Sequence, residues 1–216
     1  FPMSSLFLCA VLVAVFVVVL LIADRFGKMI VAAPAKMLAS TFFMLLAYRA
    51  GALDSTFGKL LFVGLFFSWW GDLFLLSVAK QPFLLGLIAF FLAHVMYIGA
   101  FWALKPNPVV AGAALAILGV PAFLIYRWLS PTLGSMRVPV IAYMCVITLM
   151  VASSVTLVAR GGYALLPVAG AVLFYLSDLF VARRRFVKDD GWNRNIGLPL
   201  YYLAQVILAA SPIWVA

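Results

Sequence analysis

The sequence predicts an all-α membrane protein, a polytopic bundle of eight transmembrane helices. Hydrophobic residues make up 68% of the 216-residue chain, charged residues make up 10%, and the mean hydropathy is +1.21. Soluble domains contain about 45–50% apolar residues. Apolar runs of about 20 residues, the length that crosses a bilayer, follow one another through short connections. The whole chain, 1–216, is therefore predicted to be a single transmembrane domain.

Charged residues and Gly/Pro positions divide the chain into eight apolar runs. The predicted spans are, in order, 5–23, 29–48, 59–78, 82–104, 108–127, 137–159, 163–182 and 196–215. The first span lacks a basic segment before it and a small-residue cleavage pattern after it, which favours a transmembrane helix over a signal peptide. Phe1 and Pro2 precede Met3 and are left out of the fold prediction. Residues 183–195 form the one sizeable polar loop of this prediction.

The distribution of lysine and arginine predicts the orientation of the bundle. The side that holds Arg49, Lys59, Lys105 and Arg160 carries four basic residues, and the opposite side carries ten: Arg25, Lys28, Lys80, Arg127, Arg137, Arg183, Arg184, Arg185, Lys188 and Arg194. Basic loops stay in the cytoplasm, so the richer side is predicted to be cytoplasmic and both termini non-cytoplasmic. The net charge of +9 then suits contact with anionic membrane lipid and not with nucleic acid. A bacterial inner membrane is the expected location.

Cysteine and histidine provide no sign of a metal or disulfide site. Cys9 and Cys145 lie in apolar runs, without Cys or His near them at ligand spacing. His94 is the one histidine of the sequence, so the usual three-ligand catalytic zinc set is hard to assemble. We expect neither a metal nor a cofactor.

Two aspartates lie well inside predicted spans, Asp72 in span 3 and Asp178 in span 7. A carboxylate at this depth is costly unless it finds a partner, faces a wet cavity or is protonated, so each marks a candidate functional site. Small or polar residues precede each acid at intervals of four, at Gly64 and Ser68 in span 3 and at Gly170 in span 7, which places them on one helix face. A purely structural pair between helices is the alternative interpretation.

Other polar residues fall in the same cytoplasmic-side third of the bundle, at about 1.5 Å of rise per residue. The candidate substrate-binding or orienting residues are Lys36, Ser68, His94, Tyr143, Ser177, Tyr201, Tyr202 and Gln205. Simpler interpretations stay open: Lys36 snorkels to the interface, and His94 is a helix–helix hydrogen bond. The arginines at 183–185 are interpreted first as a topology determinant and second as a substrate clamp.

The sequence also suggests a weak internal repeat. Residues 90–95 in span 4 resemble residues 201–206 in span 8, and span 3 resembles span 7. The offsets are 106 residues from Asp72 to Asp178 and 111 residues from His94 to Gln205. These offsets suggest a parallel duplication of four plus four helices. Chance similarity between apolar segments is the rival explanation.

Four segments together resemble the YhhN family of lysoplasmalogenases. They are Gly64-Leu-Phe-Phe-Ser-Trp-Trp-Gly-Asp72, Ala93-His-Val-Met-Tyr97, Leu173-Phe-Tyr-Leu-Ser-Asp-Leu-Phe-Val-Ala182 and Tyr201-Tyr-Leu-Ala-Gln205. Pro34-Ala35-Lys36 looks like the Lys-Pro element of that family, although here the proline precedes the lysine. The resemblance implies an eight-helix hydrolase that cleaves the vinyl-ether bond of lysoplasmenyl-ethanolamine or lysoplasmenyl-choline. The implied partners are this lysophospholipid and membrane lipid, and the oligomeric state is not predicted.

The two acids fit such chemistry. Vinyl-ether hydrolysis needs an acid that protonates carbon and a base that activates water, and two carboxyl groups in a low-dielectric layer provide both when one is protonated and the other ionised. The arginines at 183–185 slightly favour Asp178 as the ionised base. Asp72, beside Trp69 and Trp70, is then the acid.

Two functions without hydrolysis remain as alternatives. Paired intramembrane acids, an intramembrane lysine and a possible repeat are also typical of a proton-coupled transporter of small molecules or lipids. The outer halves of spans 3 and 7 carry almost no polar residues, which favours a one-sided pocket over a path across the membrane. A lipid-binding bundle without turnover is the third possibility.

Overall fold

The computed structural model describes residues 3–215, so Phe1, Pro2 and Ala216 lie outside the described part of the chain. Within it, eight helical segments are long and apolar enough to cross a membrane, which confirms the predicted all-α membrane bundle. The helices are α1 (Met3–Arg25), α2 (Met29–Arg49), α3 (Thr56–Phe74), α4 (Lys80–Ala103), α5 (Pro108–Leu129), α6 (Arg137–Val155), α7 (Leu165–Ala182), α8 (Leu198–Ala210) and the short α9 (Pro212–Val215).

Helix α3 is shifted towards the N-terminus relative to the predicted span 59–78. It begins at Thr56 because Ser55 caps it, with the side-chain oxygen accepting a hydrogen bond of 3.0 Å from the Gly58 N–H. It ends at Phe74, and the segment 75–79 turns into α4. The predicted end at 78 was wrong because this turn is apolar, and hydropathy does not separate an apolar turn from a helix. Asp72 consequently lies in the last turn of α3.

The predicted polar loop 183–195 is also largely helical. A π-helical turn, Arg183–Val187, continues α7, and a second one, Asn193–Gly197, leads into α8. The arginines of the first turn pair with the acids that follow it, Arg183 with Asp190 and Arg184 with Asp189. The residues between the two turns, 188–192, are what remains of the loop.

Small residues let the helices approach closely. A side chain added at Gly64 would lie 2.4 Å from the Tyr97 ring and 3.1 Å from the Ala93 carbonyl oxygen on α4. The corresponding glycine of α7, Gly170, faces Leu208 and the Ala204 carbonyl oxygen on α8 in the same way. These contacts follow the two offsets of the predicted repeat. They agree with a duplication, and the repeat itself stays a prediction.

Helix α5 lies at the periphery of the bundle. Most of its side chains are exposed, and it packs mainly against α6. The buried core lies instead between the other helices, and it includes rings of α4, α7 and α8. Phe174 contacts Phe90, His94 and Tyr201, and Phe90 also contacts Tyr201, with ring centroids 4.8–5.9 Å apart. This aromatic cluster joins α4, α7 and α8.

Candidate active site

A cavity of about 400 Å³ opens at the end of the bundle that carries the α1–α2, α3–α4 and α7–α8 connections. Asp72 and Asp178 both line it. Of the other predicted site residues, four also lie on its wall: Lys36, Tyr143, Ser177 and Tyr201. Most of the remaining wall is apolar, with Leu, Ile, Val, Met and Phe side chains. Such a cavity, apolar with a few converging polar groups, suits a single-chain amphiphile.

Asp72 is buried and is contacted by three side chains from two other helices. Lys36 on α2 places its Nζ 3.3 Å from Oδ1. Ser40, one turn further along α2, donates a hydrogen bond of 2.6 Å to Oδ2, and Tyr201 on α8 donates one of 2.7 Å to the same oxygen. All three interactions are strongest with an ionised carboxylate. These three contacts therefore favour the charged form of Asp72, against the cost of burying it.

Behind Asp72 the network continues into the core. The Gln205 amide donates to the Tyr201 hydroxyl at 2.9 Å, and its carbonyl oxygen accepts from Tyr97 at 3.2 Å. The hydroxyl of Tyr97 also lies 3.1 Å from Ser68 Oγ. These side chains are fully or almost fully buried and do not line the cavity, except for Tyr201. They hold the Tyr201 hydroxyl in position towards Asp72.

Tyr202 ties α8 to α2 beside the same acid. Its hydroxyl donates a hydrogen bond of 3.2 Å to the Lys36 carbonyl oxygen and lies 3.3 Å from Ser40 Oγ. Tyr202 is buried, so these contacts fix the part of α2 that carries both Lys36 and Ser40. Tyr202 does not line the cavity, and its contacts position the side chains of α2 that do.

Asp178 lies in a different network. Tyr143 on α6 donates its hydroxyl hydrogen to Oδ2 of Asp178. The His94 Nε2 on α4 lies 2.9 Å from the Tyr143 oxygen and 3.8 Å from Asp178 Oδ2. Since the tyrosine hydrogen is directed to Asp178, the Nε2–H of His94 donates to the tyrosine oxygen. His94, Tyr143 and Asp178 thus form a chain that ends at the cavity.

The surroundings of the second ring nitrogen of His94, Nδ1, indicate whether the imidazole is charged. Among the described residues nothing hydrogen-bonds to His94 Nδ1, and the side chain is fully buried. An imidazolium would leave a buried N–H without an acceptor at this position, which is costly. The neutral ring with its proton on Nε2 fits the surroundings.

The structure distinguishes several interpretations that the sequence left open. Lys36 is buried and pairs with Asp72, so it does not snorkel to the interface. His94 does make a hydrogen bond between helices, and its partner is a residue of the cavity wall. Ser177 donates to the carbonyl oxygen of Phe174 in its own helix at 2.7 Å and joins neither network.

Two residues of the networks, Ser40 and Tyr97, are absent from the predicted site set. Ser40 follows Lys36 by one turn and Tyr97 follows His94 by nearly one turn, so helical spacing was the available signal. Within residues 3–215 no group of three or more His, Cys, Asp or Glu side chains is placed to hold a metal ion. Cys9 and Cys145 are both free thiols.

Comparison with known proteins assigns the chain to a family. The model of the YhhN family matches residues 31–212, which include both acids and both networks. The chain belongs to the YhhN family. This confirms the resemblance found in the sequence. No solved structure matches the chain.

Three curated relatives of this YhhN chain are named lysoplasmalogenase. Lysoplasmalogenase TMEM86A from Bos taurus and from Homo sapiens are each 31% identical to it over 159 residues, which is 71% of this chain and 65% of theirs. Lysoplasmalogenase TMEM86B from Rattus norvegicus is 31% identical over 135 residues, 61% of this chain and 52% of its own. The chain thus spans less than two thirds of the length of these relatives.

Proposed function

We propose that the chain is a lysoplasmalogenase-type hydrolase that cleaves the vinyl-ether bond of lysoplasmenyl-ethanolamine or lysoplasmenyl-choline. The products are a fatty aldehyde and a glycerophospho-base. The observation that carries the proposal is that two carboxyl groups, Asp72 and Asp178, line one apolar cavity. The shared name of the curated relatives supports the choice of reaction.

The two networks support different roles for the two acids. Asp72 contacts the Lys36 ammonium and two hydroxyl donors, so we assign it the ionised form and the role of base. Asp178 has no lysine or arginine within ion-pair distance among the described residues, so we assign it the protonated form and the role of acid. This order is the reverse of the one that the sequence slightly favours, because the neighbours in space outweigh the nearby arginines in sequence.

The reaction then balances without another reactant besides water. Protonated Asp178 gives its proton to the carbon β to the ether oxygen, and an oxocarbenium ion forms. Asp72 takes a proton from water while the water oxygen bonds to the α carbon, which produces a hemiacetal. The hemiacetal hydroxyl returns its proton to Asp178 as the aldehyde forms. The glycerol oxygen leaves with the proton that Asp72 gained, so both acids regain their starting states.

The hydrogen bonds that link His94 to Tyr143 and Tyr143 to Asp178 assist Asp178 as the acid. Once Asp178 has given up its proton, the hydrogen bond that it accepts from Tyr143 becomes stronger, and the His94 N–H stabilises the tyrosine oxygen in turn. Hydrogen bonds to a charged acceptor in a low-dielectric site are stronger than those to a neutral one. Tyr143 touches the reacting carboxyl, whereas His94 acts through Tyr143 as a positioning residue.

The location of the cavity also suggests a side of the membrane. The cavity opens at the end of the bundle that carries the ten basic loop residues. Because basic loops stay in the cytoplasm, we infer that the site faces the cytoplasmic leaflet and that both termini are non-cytoplasmic. A lysophospholipid of the inner leaflet then has its linkage region near the depth of the two acids.

The test uses purified full-length protein in detergent. It is incubated with lysoplasmenyl-ethanolamine and, separately, with the saturated-ether analogue, and fatty aldehyde is measured. We expect aldehyde from the first substrate alone. Asp72→Asn and Asp178→Asn should each lower the rate by about 100-fold or more, the scale of a general acid or base. Asp54→Asn removes an exposed acid away from the cavity and is the matched control.

The contrary outcomes are distinct. Turnover that survives in folded Asp72→Asn and Asp178→Asn variants would remove the two-carboxylate mechanism. The transporter would be supported instead if the wild-type protein released no aldehyde and sealed vesicles took up lipid or solute in a manner that depends on a proton gradient.

A further inference from the structure

The arginines near the cavity mouth are not equivalent. Arg183 pairs with Asp190, Arg184 with Asp189 at 3.3 Å, and Arg194 with Asp24. The hydrogen bond from Arg183 lowers the pKa of Asp190 below its ordinary value, so this partner stays charged. Each of these cations therefore has a carboxylate that neutralises it.

Arg185 differs from its neighbours. Within residues 3–215 no carboxylate lies within ion-pair distance of its guanidinium. One nitrogen donates a hydrogen bond of 2.6 Å to the Val78 carbonyl oxygen, and the group lies 4.4 Å from the centre of the Phe83 ring. These two contacts hold the side chain against the cavity wall, which includes Arg185, Val78 and Phe83. The positive charge itself has no anionic partner there.

A fixed guanidinium of this kind is suited to a phosphodiester. It offers five N–H donors in a planar fork, and the Val78 carbonyl occupies one of them. The ammonium of Lys36, deeper in the cavity, is already neutralised by Asp72. An anionic group that enters the cavity therefore meets an unneutralised cation at Arg185 first.

The spacing along α7 and its π turn matches a lysophospholipid. Arg185 follows Asp178 by seven residues, about 10 Å of helix rise and nearly two full turns. In the substrate, seven bonds join phosphorus to the vinyl carbon that receives the proton. At about 1.2 Å per bond, the rise of an extended chain, they span about 8 Å. The two lengths are comparable, so a substrate whose phosphate contacts the guanidinium is long enough for its vinyl ether to approach Asp178.

We propose that Arg185 binds the phosphodiester of the substrate and so selects phosphorylated vinyl ethers over neutral ones. The inference rests on the proposed function, because it places the vinyl ether by reference to Asp178. It differs from a role in topology, which any basic residue of the same loop would share.

The test compares two substrates and three variants of the full-length protein. The substrates are lysoplasmenyl-ethanolamine and 1-alkenylglycerol, which has the same vinyl ether and no phosphate. Arg185→Gln should lower kcat/KM for the phospholipid by about 10–100-fold, mainly through KM, and leave the rate on 1-alkenylglycerol within about twofold. Arg185→Lys, which keeps the charge, should recover part of the loss. Lys188→Gln removes a positive charge from the same loop and should change neither rate.

A binding measurement separates this inference from the proposed function. The saturated-ether lysophospholipid and the matching alkylglycerol are not substrates, and their affinities are measured in phosphatidylcholine nanodiscs. Arg185→Gln should weaken binding of the phospholipid alone. If binding of the phospholipid depends on Arg185 but the wild-type protein releases no aldehyde, the phosphate site is supported and the proposed hydrolysis is contradicted.

Three results would overturn the inference. The first is an equal loss on both substrates in Arg185→Gln, which would indicate a structural role. The second is unchanged kinetics and binding of the phospholipid in the same variant. The third is loss of the Arg185 dependence when phosphatidylglycerol is added to the nanodiscs, which would assign the arginine to anionic lipid of the bilayer.

Discussion

Asp72 and Asp178 line the same cavity, yet the side chains that hydrogen-bond to one do not hydrogen-bond to the other. Asp72 on α3 accepts from α2 and α8, whereas Asp178 on α7 lies against α6 and α4. Asp72, in the first four helices, is thus contacted by Tyr201 of α8. Asp178, in the last four helices, is linked through Tyr143 to His94 of α4. Because their surroundings differ in charge, the two carboxyl groups are suited to different roles in one reaction.

Removing Lys36 should destabilise the fold unless Asp72 is neutralised with it. Lys36→Met leaves a buried carboxylate without its cation, which is expected to lower the free energy of unfolding by about 3–5 kcal/mol. The double variant Lys36→Met/Asp72→Asn should recover most of that loss while remaining inactive. Thermal unfolding in detergent, followed by tryptophan fluorescence, measures both. Lys59→Met, which removes an exposed lysine of α3, is the control. Equal stability of the single and double variants would contradict a stabilising ion pair between Lys36 and Asp72.

His94 should contribute to the rate only through Tyr143. Tyr143→Phe removes the hydroxyl that donates to Asp178, and we expect kcat to fall by about 10–100-fold, part of the contribution of a general acid. His94→Leu should cost less, and the double variant should cost no more than Tyr143→Phe alone. Tyr126→Phe, outside the cavity, serves as the matched control. Additive losses in the double variant would show that His94 acts independently of the tyrosine.

The assigned proton transfers predict the position of isotopic labels. Turnover in deuterated water should place one deuterium on the carbon next to the aldehyde carbon, because Asp178 protonates that carbon. Turnover in heavy-oxygen water should leave the glycerol product unlabelled, because water bonds to the vinyl carbon and not to glycerol. Mass spectrometry after rapid reduction of the aldehyde reports both. Heavy oxygen in the glycerol product would exclude the proposed attack.

Close packing between α3 and α4 should make Gly64 sensitive to a single methyl group. In Gly64→Ala the new carbon would meet the buried Tyr97 ring, and overpacking of this kind costs about 1–3 kcal/mol of unfolding free energy. Displacement of Tyr97 should also disturb Gln205 and Tyr201, so activity should fall. Gly119→Ala on α5 meets nothing within 4 Å and should leave the melting temperature unchanged or slightly higher. Equal melting temperatures for the two variants would refute the packing argument.

The bundle and the depth of its polar residues could be predicted from the chain alone. A hydrophobic share of 68% and eight apolar runs specify a membrane-spanning helical protein, because hydropathy and span length are local properties. The cost of a charge in hydrocarbon likewise marks Asp72, Asp178 and Lys36 as candidate site residues from the sequence alone. Local pattern was insufficient at the end of α3, where the apolar turn 75–79 resembles a helix.

The partners of each acid were decided only by the tertiary structure. Ser40 approaches Asp72 across 32 residues of sequence and Tyr201 across 129, while Tyr143 approaches Asp178 across 35. Such contacts depend on how helices pack and rotate against one another, which the spacing along one helix does not specify. That packing places Lys36 against Asp72 and leaves Asp178 to a tyrosine and a histidine. The sequence identifies the two candidate acids, and the packing decides which side chains contact each of them.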